Sequence, residues 1–79
     1  MPAEHDLWIY YDLETHDFLD DQLDGIVQPC GGELLGAGTL IKEARRDVSY
    51  RFPDKRKAEK AKKKVLGAFP GLKVEIEPV

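Results

Sequence analysis

Few residues in this sequence have side chains that commonly carry out covalent or metal chemistry: one cysteine, Cys30, and two histidines, His5 and His16. A nucleophile needs a base and an orienting group within reach. Cys30 lies between Pro29 and Gly31 with no base beside it. The histidines have aspartates nearby, but their spacing matches no known metal site. We therefore predict a protein that is not an enzyme, binds no metal and needs no cofactor.

Charge is distributed unevenly along the chain. Residues 1–35 contain nine acidic residues and no lysine or arginine, whereas all twelve basic residues lie within 42–73. Residues 36–79 also hold six acidic residues, so the two parts carry formal charges of −9 and 12 − 6 = +6. Such asymmetry points to charged partners. The alternative is that the two parts neutralise each other within one fold.

Four of the acidic residues belong to the region of a predicted first helix. They are Asp17, Asp20, Asp21 and Asp24. Their carboxylates suit a basic partner protein, or mimic nucleic acid phosphates towards a protein that binds them. Two alternatives stay open: the acidic side of the helix is simply solvated, or its carboxylates pair with Arg56, Lys60 or Lys63 on a neighbouring helix.

The segment 55–64, KRKAEKAKKK, contains seven basic residues and supplies an alternative binding surface, for nucleic acid phosphates. The residues assigned to this surface are Arg45, Arg46, Lys55, Arg56, Lys60, Lys63 and Lys64. Ala58 and Ala61 begin the apolar stripe of the same helix, so the lysines occupy its solvated arc. A run this uniform offers no sequence specificity.

Aromatic residues of the first predicted strand form the third candidate surface. In LWIYYDL (7–13), Trp8 and Tyr10 alternate with the apolar residues and therefore face away from the helices, together with Arg51. Exposed aromatic residues beside an arginine are typical of protein interfaces. The alternatives are that the N-terminal residues cover this face, or that a second copy does so in a homodimer.

The positions of these residues follow from the predicted secondary structure. The strands alternate at period two, and the helices repeat apolar residues three or four positions apart. The predicted elements are strands at 7–13, 33–41, 47–52 and 72–77, with helices that begin at Thr15 or Asp17 and at Asp54. Gly36 and Gly38 weaken the second strand, which is predicted to be a bulged edge. Alternatively, such an edge accepts a strand from a partner.

The element order β-α-β-β-α-β predicts one α+β domain that spans residues 1–79. A four-stranded antiparallel sheet with two helices on one face buries every apolar stripe. This is the ferredoxin-like arrangement, in which right-handed connections place the first and third strands at the centre.

Two segments resemble the RNA-recognition motif, which shares this element order. LWIYYDL (7–13) is similar to its first-strand motif, with Trp8 at the stacking position, and RRDVSYRFPD (45–54) is similar to its third strand. That family stacks bases on two aromatic residues of the third strand, where Asp47 and Ser49 stand here. The resemblance therefore implies the fold and not the RNA activity.

The size and charge separation are also similar to those of small bacterial immunity and inhibitor proteins. One cysteine allows no internal disulfide, the first residues do not read as a signal peptide, and no apolar run is long enough to span a membrane. We expect a cytoplasmic, non-catalytic protein-binding domain of inhibitor or immunity type. It would bind a basic partner through the acidic helix and the sheet aromatics, with nucleic acid binding as the alternative.

Overall fold

In the computed structural model, which describes residues 3–14, 16 and 18–79, strands and helices follow the predicted order. The strands are β1 (His5–Asp12), β2 (Glu33–Leu40), β3 (Arg45–Phe52) and β4 (Lys73–Pro78). The helices are α1 (Asp20–Val27) and α2 (Lys55–Ala68), and short 3-10 turns occupy Gln28–Cys30 and Ile41–Glu43. The predicted α+β class, with a four-stranded antiparallel sheet and two helices, is confirmed.

The strands lie in the order β2-β3-β1-β4, and each neighbouring pair is antiparallel. β1 is therefore hydrogen-bonded on both sides, whereas β2 and β4 form the two edges. The register between β2 and β3 shifts between Leu34 and Gly36, which leaves Leu35 as the extra residue of a bulge.

One face of the sheet carries the core. Side chains alternate between faces along a strand, and the apolar residues on one face of β1 and β3 are buried beneath the helices. The buried apolar residues are Leu7, Ile9, Tyr11, Leu19, Leu23, Val27, Val48, Tyr50, Phe52, Ala58, Ala61, Val65, Leu72 and Val74. They form one cluster to which both helices contribute, so α1 and α2 pack on the same face.

The two helices begin differently. Asp54 caps α2 as predicted, because its Oδ1 accepts a hydrogen bond of 2.9 Å from the backbone N–H of Lys57. Leu19 occupies the cap position of α1 and makes no side-chain cap bond. The predicted caps Thr15 and Asp17 lie outside the described residues.

Two strands begin earlier than predicted. β1 begins at His5, and β3 begins at Arg45 instead of 47, because Arg45 and Arg46 pair with Asp12 and Tyr11 of β1. The sequence suggested a polar turn for these arginines, since neither is apolar. The backbone of these two arginines is hydrogen-bonded to the central strand β1, which extends β3 to Arg45. The alternation of apolar residues does not reveal this pairing.

Candidate functional site

The sheet face opposite the helices is called the open face here. Its side chains belong to the residues that alternate with the core positions of β1, β3 and β4. They are Asp6, Trp8, Tyr10, Asp12, Arg45, Asp47, Ser49, Arg51, Lys73, Glu75 and Glu77. Neither α1 nor α2 packs on this face, since both contribute to the core cluster on the other side.

Trp8 and Tyr10 form a stacked aromatic pair at the centre of the open face. Their ring centroids lie 6.3 Å apart, and the ring planes differ by 13°. Both side chains are partly exposed. Because β1 pairs with β3 on one side and β4 on the other, the pair is held on a central strand of the sheet. The placement predicted for these two residues is therefore the one observed.

The side of the pair that faces β2 has little side-chain volume. Ser49 lies opposite Trp8 on β3, and Gly36 lies opposite Ser49 on β2. The Ser49 hydroxyl donates to the Gly36 carbonyl oxygen at 3.4 Å and is almost fully buried. A Cβ added at Gly36 would meet no atom within 4 Å. The tryptophan ring therefore has only the small residues Ser49 and Gly36 beside it on this side.

Carboxylates surround the Tyr10 end of the pair. Burial raises the pKa of Tyr10, and the negative charges of Glu75, Glu77 and Asp47 raise it further. Lys73 acts in the opposite direction: its Nζ lies 5.8 Å from the Tyr10 ring centroid and 3.3 Å from Glu75 Oε1. The electrostatic environment of the aromatic pair is therefore predominantly negative.

Arg51, predicted as a partner contact, already has a partner within the sheet. Its Nε donates to Asp6 Oδ1 at 2.9 Å, and its Nη2 donates to Asp6 Oδ2 at 3.2 Å. The two residues lie opposite each other on β3 and β1. A bidentate pair of this kind fixes the guanidinium plane. The charge of Arg51 is therefore already paired with Asp6 and is not a free cation for a partner.

The acidic residues of α1 lie in different environments. Asp20 accepts hydrogen bonds from the Tyr11 hydroxyl at 3.0 Å and from Arg46 Nε at 2.9 Å, and Asp24 accepts one from the Tyr50 hydroxyl at 2.5 Å. Both carboxylates are directed at the sheet, where they satisfy tyrosines of the core. Asp21 is exposed. Asp17 lies outside the described residues.

Two hydrogen bonds explain why Asp20 ionises easily. The Arg46 guanidinium holds the pKa of Asp20 below its ordinary value, and the Tyr11 hydroxyl adds to this effect while burial opposes it. Tyr11 also accepts a hydrogen bond from the Leu19 backbone N–H at 3.0 Å, which ties the start of α1 to β1. Sequence reasoning missed this network because its members are far apart in the chain.

Arg45 and Arg46, assigned to the basic surface, are both engaged elsewhere. Arg46 contacts Asp20 on the helix side of the sheet, donates to Thr39 Oγ1 at 2.6 Å, and lies 5.0 Å from the Phe18 ring centroid. Arg45 lies within 4.0 Å of Asp12 and 3.8 Å of Glu43. These two arginines therefore contact other side chains of the fold and do not form one surface with the lysines of α2.

The lysine-rich arc of α2 faces solvent. Lys55 contacts Glu59 at 3.8 Å, one helical turn away. Within the described part of the chain, no ion pair joins α2 to α1, so the suggested pairing of Arg56, Lys60 or Lys63 with helix α1 acids is not found there. Asp20 and Asp24 are matched by Arg46 and two tyrosines instead. The lysines of the arc other than Lys55 form no ion pair within the described residues.

Two further observations concern the described residues as a set. They contain no group of three or more histidine, cysteine or carboxylate side chains placed to hold a metal ion. Neither helix in the described ranges is long and apolar enough to cross a membrane. The chain matches no protein-family model and no curated protein at a significant level.

Proposed function

We propose that this chain is a non-catalytic protein-binding domain that binds a basic segment of another protein on the open face. The observation that carries the proposal is the stacked Trp8–Tyr10 pair, partly exposed and bordered by carboxylates. Aromatic rings give a large contact area at low cost in conformational entropy and attract cationic side chains. An arginine or lysine laid across these rings would also meet Glu75 and Asp47.

We also propose that the fold is ferredoxin-like. The element order and the strand order β2-β3-β1-β4 support a ferredoxin-like arrangement. Small size and separated charge favour an inhibitor or immunity-type protein that acts in the cytoplasm. The acidic surface proposed to bind the partner comprises the open-face carboxylates. Asp20 and Asp24, which the sequence assigned to it, bind core tyrosines instead, and Asp21 belongs to α1 on the other side of the sheet.

A defined peptide tests the location of binding. A short arginine-rich peptide is titrated into isotope-labelled protein, and backbone and Trp8 indole shifts are followed by NMR. We expect the largest shifts at Trp8, Tyr10 and Glu75, with weakening at higher salt because the attraction is partly electrostatic. Shifts confined to Asp21, or spread evenly over all carboxylates, would contradict a specific open-face site.

A double variant supplies the matched comparison. Trp8→Ala with Tyr10→Ala removes the rings, whereas Phe18→Ala removes an exposed aromatic side chain outside the open face. Loss of peptide binding in the first variant and retention in the second are expected. The same variants then serve in co-purification from the native host, where the partner is the protein retained by wild type and by Phe18→Ala but not by the double variant.

A second candidate function is nucleic acid binding through α2. The observation that favours it is that Arg56, Lys60, Lys63 and Lys64 are exposed and, within the described residues, form no ion pair. Phosphate binding predicts an affinity that falls steeply with salt. A gel-shift titration compares wild type with a Lys60→Glu, Lys63→Glu, Lys64→Glu variant. An absence of binding by wild type at low salt removes this function.

A further inference from the structure

The outer edge of β2 is a second candidate binding surface, distinct from the open face. β2 pairs with β3 on one side, and no strand of the described residues pairs with its other side. All eight residues of Glu33–Leu40 are at least partly exposed. An edge strand of this length presents unpaired backbone N–H and C=O groups that can pair with another strand.

The two edges of the sheet differ sharply in chemistry. β4 carries Lys73, Glu75, Glu77 and Pro78, which are the kinds of residue that prevent edge-to-edge pairing. The stretch 34–41 of β2 and the turn after it contains no charge and no proline. The edge at β4 is therefore protected against strand addition by charges and a proline, whereas β2 has only the bulge at Leu35 and leaves residues 36–40 regular.

Exposed apolar side chains concentrate at this same edge. Leu34, Leu35, Leu40 and Ile41 have exposed fractions of 47%, 45%, 55% and 87%. They account for four of the six large apolar side chains that the described residues expose. Apolar surface gathered beside unpaired backbone groups is typical of a protein interaction site.

We propose that the occupant of this edge is β2 of a second copy, paired antiparallel about a two-fold axis to give a continuous eight-stranded sheet. The charges at the ends of the segment favour this occupant. Glu33 precedes the uncharged stretch and Lys42 follows it. With the bulge residue Leu35 left unpaired, antiparallel self-pairing brings Glu33 of each copy towards Lys42 of the other. The next acid, Glu43, lies 3.8 Å from Arg45 of its own chain, so both ends of the interface carry opposite charges.

The bulge at Leu35 limits where the pairing is regular. Residues 36–40 keep an unbroken register with β3, and we place the two-fold axis near Gly38. Residues directly opposite in an antiparallel pair share a face, so Leu40 of one copy lies beside Gly36 of the other. The space beside Gly36 is open, because an added Cβ would meet no atom within 4 Å. In the dimer, this leucine side chain covers that space.

This inference does not rest on the proposed function, because the two surfaces share no side chain on which either proposal depends. The first test is the mass of the protein in solution, measured by light scattering and sedimentation over a wide concentration range. We expect a dimer of twice the 8.9 kDa chain mass. A monomer up to millimolar concentration would overturn the inference.

A lysine placed on the edge tests the surface. Ala37→Lys sets two like charges close together across the two-fold axis, and about a tenfold or greater weakening of the dimer is expected. Ala68→Lys, at an exposed site at the end of α2, is the matched control and should dimerise like wild type. Circular dichroism establishes that both variants fold. A dimer that survives Ala37→Lys but is lost on Trp8→Ala would place the interface on the open face instead.

A charge exchange tests the orientation and the identity of the occupant. Glu33→Lys alone and Lys42→Glu alone bring like charges together at both ends and should weaken the dimer about three- to tenfold. The double variant restores opposite charges and should recover the wild-type dissociation constant. Single effects without recovery in the double variant would contradict antiparallel self-pairing, and would point to a strand of a different protein.

Discussion

The Tyr50 hydroxyl on β3 donates a hydrogen bond to Asp24 Oδ1 on α1 at 2.5 Å, across the helix–sheet interface. Tyr50 is fully buried, so its hydroxyl requires a hydrogen-bond partner within the protein. The bond therefore does two things: it satisfies a buried hydroxyl and holds the helix in register with the sheet. The sequence suggests that the Asp24 carboxylate faces solvent, whereas in the structure it lies at the boundary of the core.

Tyr50→Phe should destabilise the fold by about 1–3 kcal/mol, because the Asp24 carboxylate loses its donor in a partly buried site. Chemical denaturation gives the free energy of unfolding. Tyr10→Phe, on the open face, is the control and should change that free energy by less than about 0.5 kcal/mol. Equal effects of the two substitutions would contradict a structural role for the Tyr50–Asp24 bond.

Stability should fall at high pH. Burial, reinforced by the hydrogen bond to Asp24, raises the pKa of Tyr50 well above its ordinary value of 10.0. The unfolded chain therefore releases this proton first, so the stability is fully present below about pH 10 and is lost as the pH rises further. Denaturation at several alkaline pH values measures the loss. The slope should be shallower in Tyr50→Phe, and an unchanged slope would count against the assignment.

Acid should weaken the fold through Asp20. Its pKa is depressed by the Arg46 guanidinium, so its contribution is fully present above the ordinary value of 3.8 and disappears as the pH falls through the lower, folded-state pKa. Asp20→Asn should flatten the dependence of unfolding free energy on pH in this acidic range. Asp21→Asn, at an exposed site on the same helix, should keep the wild-type slope. Parallel curves for all three proteins would refute the role of Asp20.

Gly32 lies where α1 returns to the sheet, and no side chain fits there. A Cβ at this position would lie 2.7 Å from Phe52 Cζ and 2.7 Å from Val27 Cγ1. Gly32→Ala should therefore cost about 1–3 kcal/mol of unfolding free energy. Gly36→Ala, with open space around the added methyl group, should be neutral or slightly stabilising. Thermal and denaturant unfolding of the two variants gives the comparison, and a neutral Gly32→Ala would show that the contact relaxes at little cost.

The fold class could be predicted from the sequence because apolar residues recur at regular spacings in its strands and helices. Val48, Tyr50 and Phe52 alternate with polar residues, and Ala58, Ala61 and Val65 follow a helical stripe, so their burial is a local property of the pattern. The exposed position of Trp8 and Tyr10 follows from the same alternation. These features need no knowledge of which segments meet in space.

The partners of the α1 carboxylates could not be predicted from local sequence patterns. Asp20 and Arg46 are separated by 26 residues, as are Asp24 and Tyr50. Nothing in either local pattern distinguishes these carboxylates from Asp21, which remains exposed. The sequence suggested α2 as the partner of the acidic helix because both helices pack on one face. The strand below α1 supplies the counter-charge instead, since Arg46 reaches the helix side of the sheet.

Strand β1 supplies two different surfaces with alternate residues. Leu7 and Ile9 enter the core, while Trp8 and Tyr10 occupy the open face, and hydrogen bonds to both neighbouring strands fix which residues do which. The residues that pack the core and the residues that form the open face therefore occupy separate positions of one short segment. Substitutions at the outward positions can change the chemistry of the open face while the packing of the inward positions is preserved. A surface built in this way is free to change during evolution without first passing through an unstable intermediate.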